Sequence, residues 1–180
     1  GTLTHYLLER FLREYKKTDF ASLSNEDIAK IISQYLNDYA VEELGGIDNK
    51  PARFKYLFYR IQDNAIKLLI HIIKELSQSE FVPTAFELNV GKDIPAYNLT
   101  LDDGSSLSVR GSVDRVDVMD KNGEKYIRVI DYKTGSKTFK IGDIMYGLNL
   151  QMLIYLSAIK ANGKDYFGDN IVPCGVLYQP

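Results

Sequence analysis

The residues best suited to catalysis or metal binding are two aspartates and a lysine in the middle of a predicted sheet. Asp114 and Asp131 fall in two predicted strands joined by a short turn, so strand pairing can bring their carboxylates together. Asp131 and Lys133 are two positions apart and project from one face of their strand. Ile127 and Val129 share that face. We therefore expect an acid and an amine at the end of an apolar row, where they need a partner or a metal ion to offset lost hydration.

This set of groups suits metal-assisted hydrolysis of a phosphodiester. Carboxylate oxygens are the hard ligands that Mg²⁺ prefers, and a few of them leave room for water and phosphate. A bound ion can polarise a phosphoryl oxygen and activate water, while an ammonium stabilises developing charge. The Asp131–Lys133 tripeptide alone occurs often by chance. The apolar strand, the upstream aspartate and the glycines Gly111 and Gly135 favour a site over a surface turn.

The elements that must position these residues divide the chain into two halves. The first half has helical periodicity and predicts helices over about residues 2–17, 24–44 and 51–79. Ser24 and Asp27 resemble a weakened capping box, and Gly45 is expected to stop the second helix.

The second half alternates like a sheet. We predict strands over about 81–90, 97–101, 107–119, 125–133 and 172–179, mainly as an antiparallel meander, with a crossover helix over about 143–161. The predicted fold class is α/β (α+β): a mixed sheet flanked by helices, with a helical N-terminal part of about 1–80 and a sheet core of about 81–180 in a single domain.

The composition of the 180 residues is that of a globular domain, with 45% hydrophobic and 26% charged residues. No stretch is apolar enough for a membrane span, and no secretion signal is visible, so we expect a cytoplasmic protein. The formal net charge of −2 counts mildly against a free-standing nucleic-acid binder but allows a local basic surface. The single cysteine, Cys174, excludes a disulfide framework within this chain and is expected to be a small buried hydrophobe.

The ordered motifs resemble the PD-(D/E)xK nucleases, and the fuller text "GSVDRVD … VIDYKTG … GLNLQMLIYL" resembles their RecB-like branch. Within it, the chain is most similar to the C-terminal nuclease domain of the bacterial ATP-dependent helicase–nucleases of the AddB/RexB type. The opening Gly1–His5 segment matches the G-x-x-x-H helix of these nucleases, and Pro173–Tyr178 matches the strand after their active-site helix. Residues 21–79 carry no such motif. The tripeptide is a weak signal, but the ordered set is a strong one.

The resemblance implies a restriction-endonuclease-like fold and specific residue roles. The implied metal ligands, for Mg²⁺ or Mn²⁺, are His5, Asp114, Asp131 and the backbone carbonyl of Tyr132. Lys133 would be the catalytic lysine. Gln151 and Tyr155 match a Q-x-x-x-Y motif, and their spacing of four puts both on one helix face, where they would position DNA phosphate or the attacking water.

The implied function is that of a metal-dependent deoxyribonuclease, expected to be an exonuclease, in a helicase–nuclease that processes double-strand breaks for repair and recombination. Its partners would be DNA and a helicase–nuclease partner subunit. An iron–sulfur cluster is possible in the full-length parent, but its cysteines are not in this chain. The ends at Gly1 and Pro180 suggest a fragment of a larger protein. The alternatives are a stand-alone RecB-like exonuclease, such as those of CRISPR adaptation, and a DNA-binding or scaffolding module that does not cleave.

Some residues stay outside the predicted catalytic set. Glu87 is a second-tier metal ligand, with a solvated strand face as an equal alternative. Arg115 and Asp117 are expected to form a supporting ion pair, and His71 is interpreted as structural.

Overall fold

A computed structural model of the chain describes residues 2–132 and 150–179. The contacts divide the chain into two compact units, Gly1–Glu80 and Phe81–Pro180. The first is called the helical unit and the second the sheet unit.

The helical unit contains three α-helices: α1 (Thr2–Glu14), α2 (Asn25–Leu44) and α3 (Ala52–Ser77). The predicted capping box at the start of α2 is present, because Ser24 Oγ accepts from the Asp27 N–H and the Asp27 carboxylate accepts from the Ser24 N–H. Gly45 ends α2 with a left-handed φ of 65°. The prediction for the first helix was too long, since α1 ends at Glu14 and a 3₁₀ helix follows over Lys17–Ser22.

The helices of this unit bury one apolar stripe each. Fully buried side chains come from all three helices, and examples are Leu7, Phe11, Ile32, Leu69 and Ile72. Polar links join α1 to α2: the Arg10 guanidinium lies 2.9 Å from the Asp38 carboxylate, and the Tyr35 hydroxyl donates to Glu14. The apolar stripes account for the association of the three helices.

Within its described residues, the sheet unit has six strands: β1 (Val82–Val90), β2 (Tyr97–Thr100), β3 (Ser106–Val109), β4 (Gly111–Lys121), β5 (Glu124–Tyr132) and β6 (Ile171–Gln179). In the described segment 150–179, the helices α4 (Gln151–Asn162) and α5 (Lys164–Phe167) precede β6. Four strands form one sheet in the order β1-β4-β5-β6, antiparallel except for the parallel pair β5–β6. The predicted mixed α/β class is therefore confirmed.

The predicted meander is wrong in one respect, because β2 and β3 form a separate two-stranded hairpin. The strand predicted over 107–119 is divided at Arg110. Val109 pairs with Tyr97 in the hairpin, whereas Gly111 pairs with Val90 in the main sheet. The chain thus changes its pairing strand from β2 to β1 at Arg110. The alternating pattern of the sequence is continuous there and does not indicate the change.

Both outer strands of the four-stranded sheet are irregular. In β1 the register shifts between Pro83 and Ala85. In β6 the residues on either side of Cys174 pair with consecutive residues of β5, which leaves Cys174 without a partner in the ladder. Cys174 is exposed, so the expectation of a small buried hydrophobe is wrong.

The core of the sheet unit lies between the sheet and α4. On β4 and β5 it includes Val116, Val118, Ile127 and Val129, which are buried together with residues of α4 such as Met152, Leu156 and Ile159. This apolar row shares a sheet face with the predicted acidic residues.

Candidate active site

Asp114 and Asp131 lie directly across from each other at the end of the paired region of β4 and β5. The last paired residues are Arg115 and Ile130, and the two aspartates occupy the next position on each strand. The Tyr132 backbone N–H donates to Asp114 Oδ2 over 2.7 Å. Asp114 and Asp131 are both half-buried. The sequence argument predicted this juxtaposition, at the end of the apolar row on the same face.

Glu87 adds a third carboxylate to this part of the sheet. Between the pairs Phe86–Arg115 and Leu88–Val113, Glu87 is the residue of β1 opposite Asp114. One carboxylate oxygen of Glu87 and one of Asp114 lie within 4.8 Å of each other. Glu87, Asp114 and Asp131 are called the acidic cluster below. The cluster offers several hard oxygens at the rim of an apolar core, which is the donor set that a divalent cation such as Mg²⁺ fits.

The backbone at Glu87 is unusual for a strand. Its φ is +49°, in the left-handed region that a residue with a Cβ rarely adopts. The Ser112 hydroxyl also donates to Glu87 Oε2 at 3.3 Å. Strained backbone of this kind concentrates at functional positions. The Glu87 side chain is exposed, and its part in metal binding stays a prediction.

The two α4 residues predicted to act together are hydrogen-bonded to each other. Gln151 Nε2 donates to the Tyr155 hydroxyl over 2.9 Å; Gln151 is exposed and Tyr155 is buried. The Tyr155 hydroxyl also packs against Gly111, where an added Cβ would lie only 1.8 Å from it. Gly111 therefore has to lack a side chain, and it brings Tyr155 against β4 three residues before Asp114. The tight packing at Gly111 was not predicted.

The opposite face of β4 and β5 carries a buried ion network, which consists of Arg115, Asp117, Arg128 and Tyr132. Asp117 is completely buried and accepts from both arginines: Arg115 Nε lies 2.8 Å from Oδ1 and Arg128 Nε lies 3.0 Å from Oδ2. Arg115 Nη1 donates to the Tyr132 hydroxyl over 2.7 Å. The predicted Arg115–Asp117 ion pair is present, whereas the parts played by Arg128 and by the Tyr132 hydroxyl were missed.

The electrostatics of the buried ion network are consistent with a charged arginine and a neutral tyrosine. Burial raises the pKa of Tyr132 to about 12, although the Arg115 charge opposes this shift. Burial lowers the pKa of Arg115, but the facing Tyr132 and Asp117 raise it by more, and the net shift is upward. Tyr132 thus links the two faces: its hydroxyl belongs to the buried ion network, and its backbone N–H binds Asp114.

The predicted roles of the other site residues stay predictions. Lys133 lies outside the described residues. His5 is half-buried in α1 of the helical unit, and its part in metal binding stays a prediction. Tyr132 ends β5 beside Asp131, and metal binding by its carbonyl also stays a prediction. His71 is exposed on α3 and is not a packed core histidine.

Comparisons with known proteins show the family of this chain. A family model described as the PD-(D/E)XK nuclease superfamily matches residues 1–179. The chain belongs to the PD-(D/E)XK nuclease superfamily. This is the superfamily that the ordered motifs predicted.

Curated relatives of this nuclease domain are B-type subunits of the ATP-dependent helicase/deoxyribonuclease. The chain is 36% identical over 182 residues to the protein of that name from Clostridium novyi, and 33% and 34% identical to those from Clostridium tetani and Clostridioides difficile. Each match covers 99% of this chain and 16% of the relative. The chain therefore spans about a sixth of the length of these relatives. Among the described residues, no helix is long and apolar enough to cross a membrane.

Proposed function

We propose that this nuclease domain hydrolyses DNA phosphodiesters with a bound Mg²⁺ or Mn²⁺ ion, as the cleaving part of a bacterial helicase–nuclease in double-strand break repair and recombination. The observation that carries the proposal is the placement of Asp114 opposite Asp131, within a chain that matches the nuclease superfamily from residue 1 to 179. Exonuclease action, a partner subunit and a cytoplasmic location belong to the same proposal, and the names of the relatives support it.

The metal would be held by oxygens of the acidic cluster. Asp114, Asp131 and the Tyr132 carbonyl are the proposed ligands in the sheet unit, and His5 is the proposed nitrogen ligand. Glu87 would bind directly or through a water molecule. A divalent ion bound there would supply Lewis-acid stabilisation of the phosphoryl oxygen and a water of lowered pKa.

The remaining site residues would orient the reactants. Lys133 would bring its ammonium to the side of the phosphoryl group where negative charge develops. Gln151 would present its amide to a DNA phosphate or to the attacking water, and the hydrogen bond with Tyr155 fixes the direction of that amide. Tyr155 is in turn held by its packing against Gly111, so it acts as a positioning residue.

The test is divalent-dependent degradation of linear DNA by the 180-residue chain. Asp131→Asn and Lys133→Gln should each lower the cleavage rate by at least about a hundredfold, since each removes a group needed at the reacting phosphate. Asp120→Asn is the matched control, because Asp120 is an exposed carboxylate on β4 that pairs with Lys125. Its cleavage rate should equal that of the wild type.

Titration calorimetry with Mn²⁺ gives a second readout that does not depend on activity. The wild type and Asp120→Asn should bind Mn²⁺ with equal affinity, and Asp131→Asn should bind it at least about tenfold more weakly. The proposal is wrong if the wild type neither binds Mn²⁺ nor cleaves DNA. It is also wrong if Asp131→Asn cleaves as fast as the wild type.

A further inference from the structure

The outer face of α3 carries a regular row of positive charge. Arg53, Arg60, Lys67 and Lys74 recur every seven residues, and all four are exposed. Seven residues advance a helix by about 10.5 Å with little rotation, so the four side chains follow one stripe about 32 Å long. These four residues are called the basic row.

The positive charge of α3 contrasts with the rest of the chain. The helix has five basic and two acidic residues, in a chain whose 22 basic residues are outnumbered by 24 acidic ones. One of the two acidic residues, the exposed Asp63, lies on the stripe between Arg60 and Lys67. A solvated helix with no ligand usually mixes charges of both signs along its face. The excess of positively charged residues on α3, in a chain that is acidic as a whole, is the electrostatic pattern of a surface that binds a polyanion.

Exposed aromatic rings lie at the N-terminal end of the same helix. Tyr56 is 63% exposed and Tyr59 is 51% exposed. Tyr56 lies on the stripe between Arg53 and Arg60, and the Arg60 guanidinium is 5.9 Å from the centre of its ring. Large exposed rings beside guanidinium groups are the usual platform on which unpaired bases stack.

We propose that the outer face of α3 is a binding surface for single-stranded DNA. The basic row contacts successive phosphates, and Tyr56 stacks on a base at the N-terminal end. Charge complementarity selects a nucleic acid, and the exposed ring selects a strand with unpaired bases over a duplex. This inference rests on the proposed function for the identity of the polyanion, and it adds a second surface on the helical unit.

The chain contains no tryptophan, which allows a clean optical test. The variant Tyr56→Trp places a single indole on the surface. We expect titration with oligothymidylate in EDTA, where no cleavage occurs, to quench the indole fluorescence. Unlabelled single-stranded DNA should displace the bound oligothymidylate more effectively than a duplex of the same length. Absence of quenching, or stronger competition by the duplex, would overturn the proposal.

The role of the basic row in holding phosphates is tested by salt dependence between about 50 and 200 mM. In the Tyr56→Trp variant, the further changes Arg60→Gln and Lys67→Gln should together reduce the slope of log affinity against log salt by about 1.4. Each neutralised phosphate contributes about 0.7 to this slope. The control pair, Lys16→Gln and Lys30→Gln, removes the same charge from exposed positions off the row. An equal reduction in both pairs would mean a general charge effect and would overturn the proposal.

The stacking on Tyr56 is tested at fixed salt by fluorescence anisotropy of labelled oligothymidylate, also in EDTA. Tyr56→Ala should weaken binding by about fivefold or more. Tyr166→Ala is the control, since Tyr166 is 48% exposed but lies on α5 of the sheet unit, and it should bind like the wild type. Equal affinity of the two variants would overturn the stacking role. Displacement of the oligonucleotide by polyglutamate at equal charge would indicate an acidic protein partner and overturn the choice of DNA.

The tests separate this surface from the proposed cleavage site. A chain that cleaves DNA in Mn²⁺ but fails the fluorescence and salt tests retains the proposed function and refutes the α3 surface. A chain that passes both binding tests in EDTA yet cleaves nothing in Mg²⁺ or Mn²⁺ supports the α3 surface and refutes the proposed function.

Discussion

The two faces of the β4–β5 pair use the same kinds of side chain for opposite purposes. On one face, carboxylate oxygens of Glu87 and Asp114 lie within 4.8 Å of each other, and Asp131 follows the register across from Asp114. On the other face, the fully buried carboxylate of Asp117 is compensated by two arginines. A buried carboxylate that is matched by fixed cations needs no further ion, whereas neighbouring carboxylates are suited to binding a divalent cation.

The largest expected effect is a difference in unfolding free energy between variants on the two faces. Asp117→Asn should lower the free energy of unfolding of the sheet unit by about 3–5 kcal/mol, because Arg115 and Arg128 stay buried while the Asp117 counter-charge is removed. Asp114→Asn on the same strand should change it by less than about 0.5 kcal/mol, since its amide oxygen can still accept from the Tyr132 N–H. Urea unfolding followed by circular dichroism measures both. Equal losses of stability would remove the distinction between the faces.

The next effect tests the link between the faces at Tyr132. Tyr132→Phe should cost about 1.5–3 kcal/mol, since Arg115 loses a buried hydrogen-bond acceptor. Tyr126→Phe is the control on the same strand, because the Tyr126 hydroxyl bonds the half-buried Glu124 and its removal should cost less than about 1 kcal/mol. The same urea assay compares the two variants. A Tyr132→Phe protein as stable as Tyr126→Phe would mean that Arg115 does not need this partner.

A smaller effect is expected where β4 packs against α4. Gly111→Ala should cost about 1–3 kcal/mol and slow cleavage, because the new methyl group must displace the Tyr155 hydroxyl. At Gly175, on β6, an added Cβ meets nothing within 4 Å. Gly175→Ala should therefore unfold like the wild type or at slightly higher urea. Unfolding midpoints and cleavage rates of the pair test this, and an unaffected Gly111→Ala protein would argue against the close packing.

The smallest effect concerns the strained residue of the acidic cluster. Glu87→Gly and Glu87→Gln both remove the carboxylate and should weaken Mn²⁺ binding equally. Only glycine accepts the φ of +49° at low cost, so Glu87→Gly should be more stable than Glu87→Gln by about 1 kcal/mol. Calorimetric Mn²⁺ titration and thermal unfolding separate the two properties. If both variants bind Mn²⁺ like the wild type, Glu87 has no part in the site.

Local signals in the sequence predicted local structure well. Ser24 and Asp27 cap α2, Gly45 ends it, and the Gln151–Tyr155 spacing gives a hydrogen-bonded pair on one helix face. The position of Asp114 opposite Asp131 was also predictable, because a short turn between two strands restricts their register.

Features that depend on distant partners were not predictable in the same way. The exchange of strand partners at Arg110 depends on β1 and β2, which are remote in sequence. In the sequence, Arg128 has the pattern of an ordinary outward-facing strand residue. Only the strand register shows that Asp117 lies directly across from it. The close approach of Tyr155 to Gly111 depends on the packing of α4 against the sheet, which no short spacing encodes.

The irregular outer strands have a consequence for behaviour at high concentration. A proline cannot donate a backbone hydrogen bond, and Pro83 and Pro173 lie on the two outer strands beside the register shifts. A straight, fully hydrogen-bonding border would invite a neighbouring molecule to add its own strand. As far as the described residues show the sheet, its two border strands interrupt such a template, which disfavours assembly into extended intermolecular sheets.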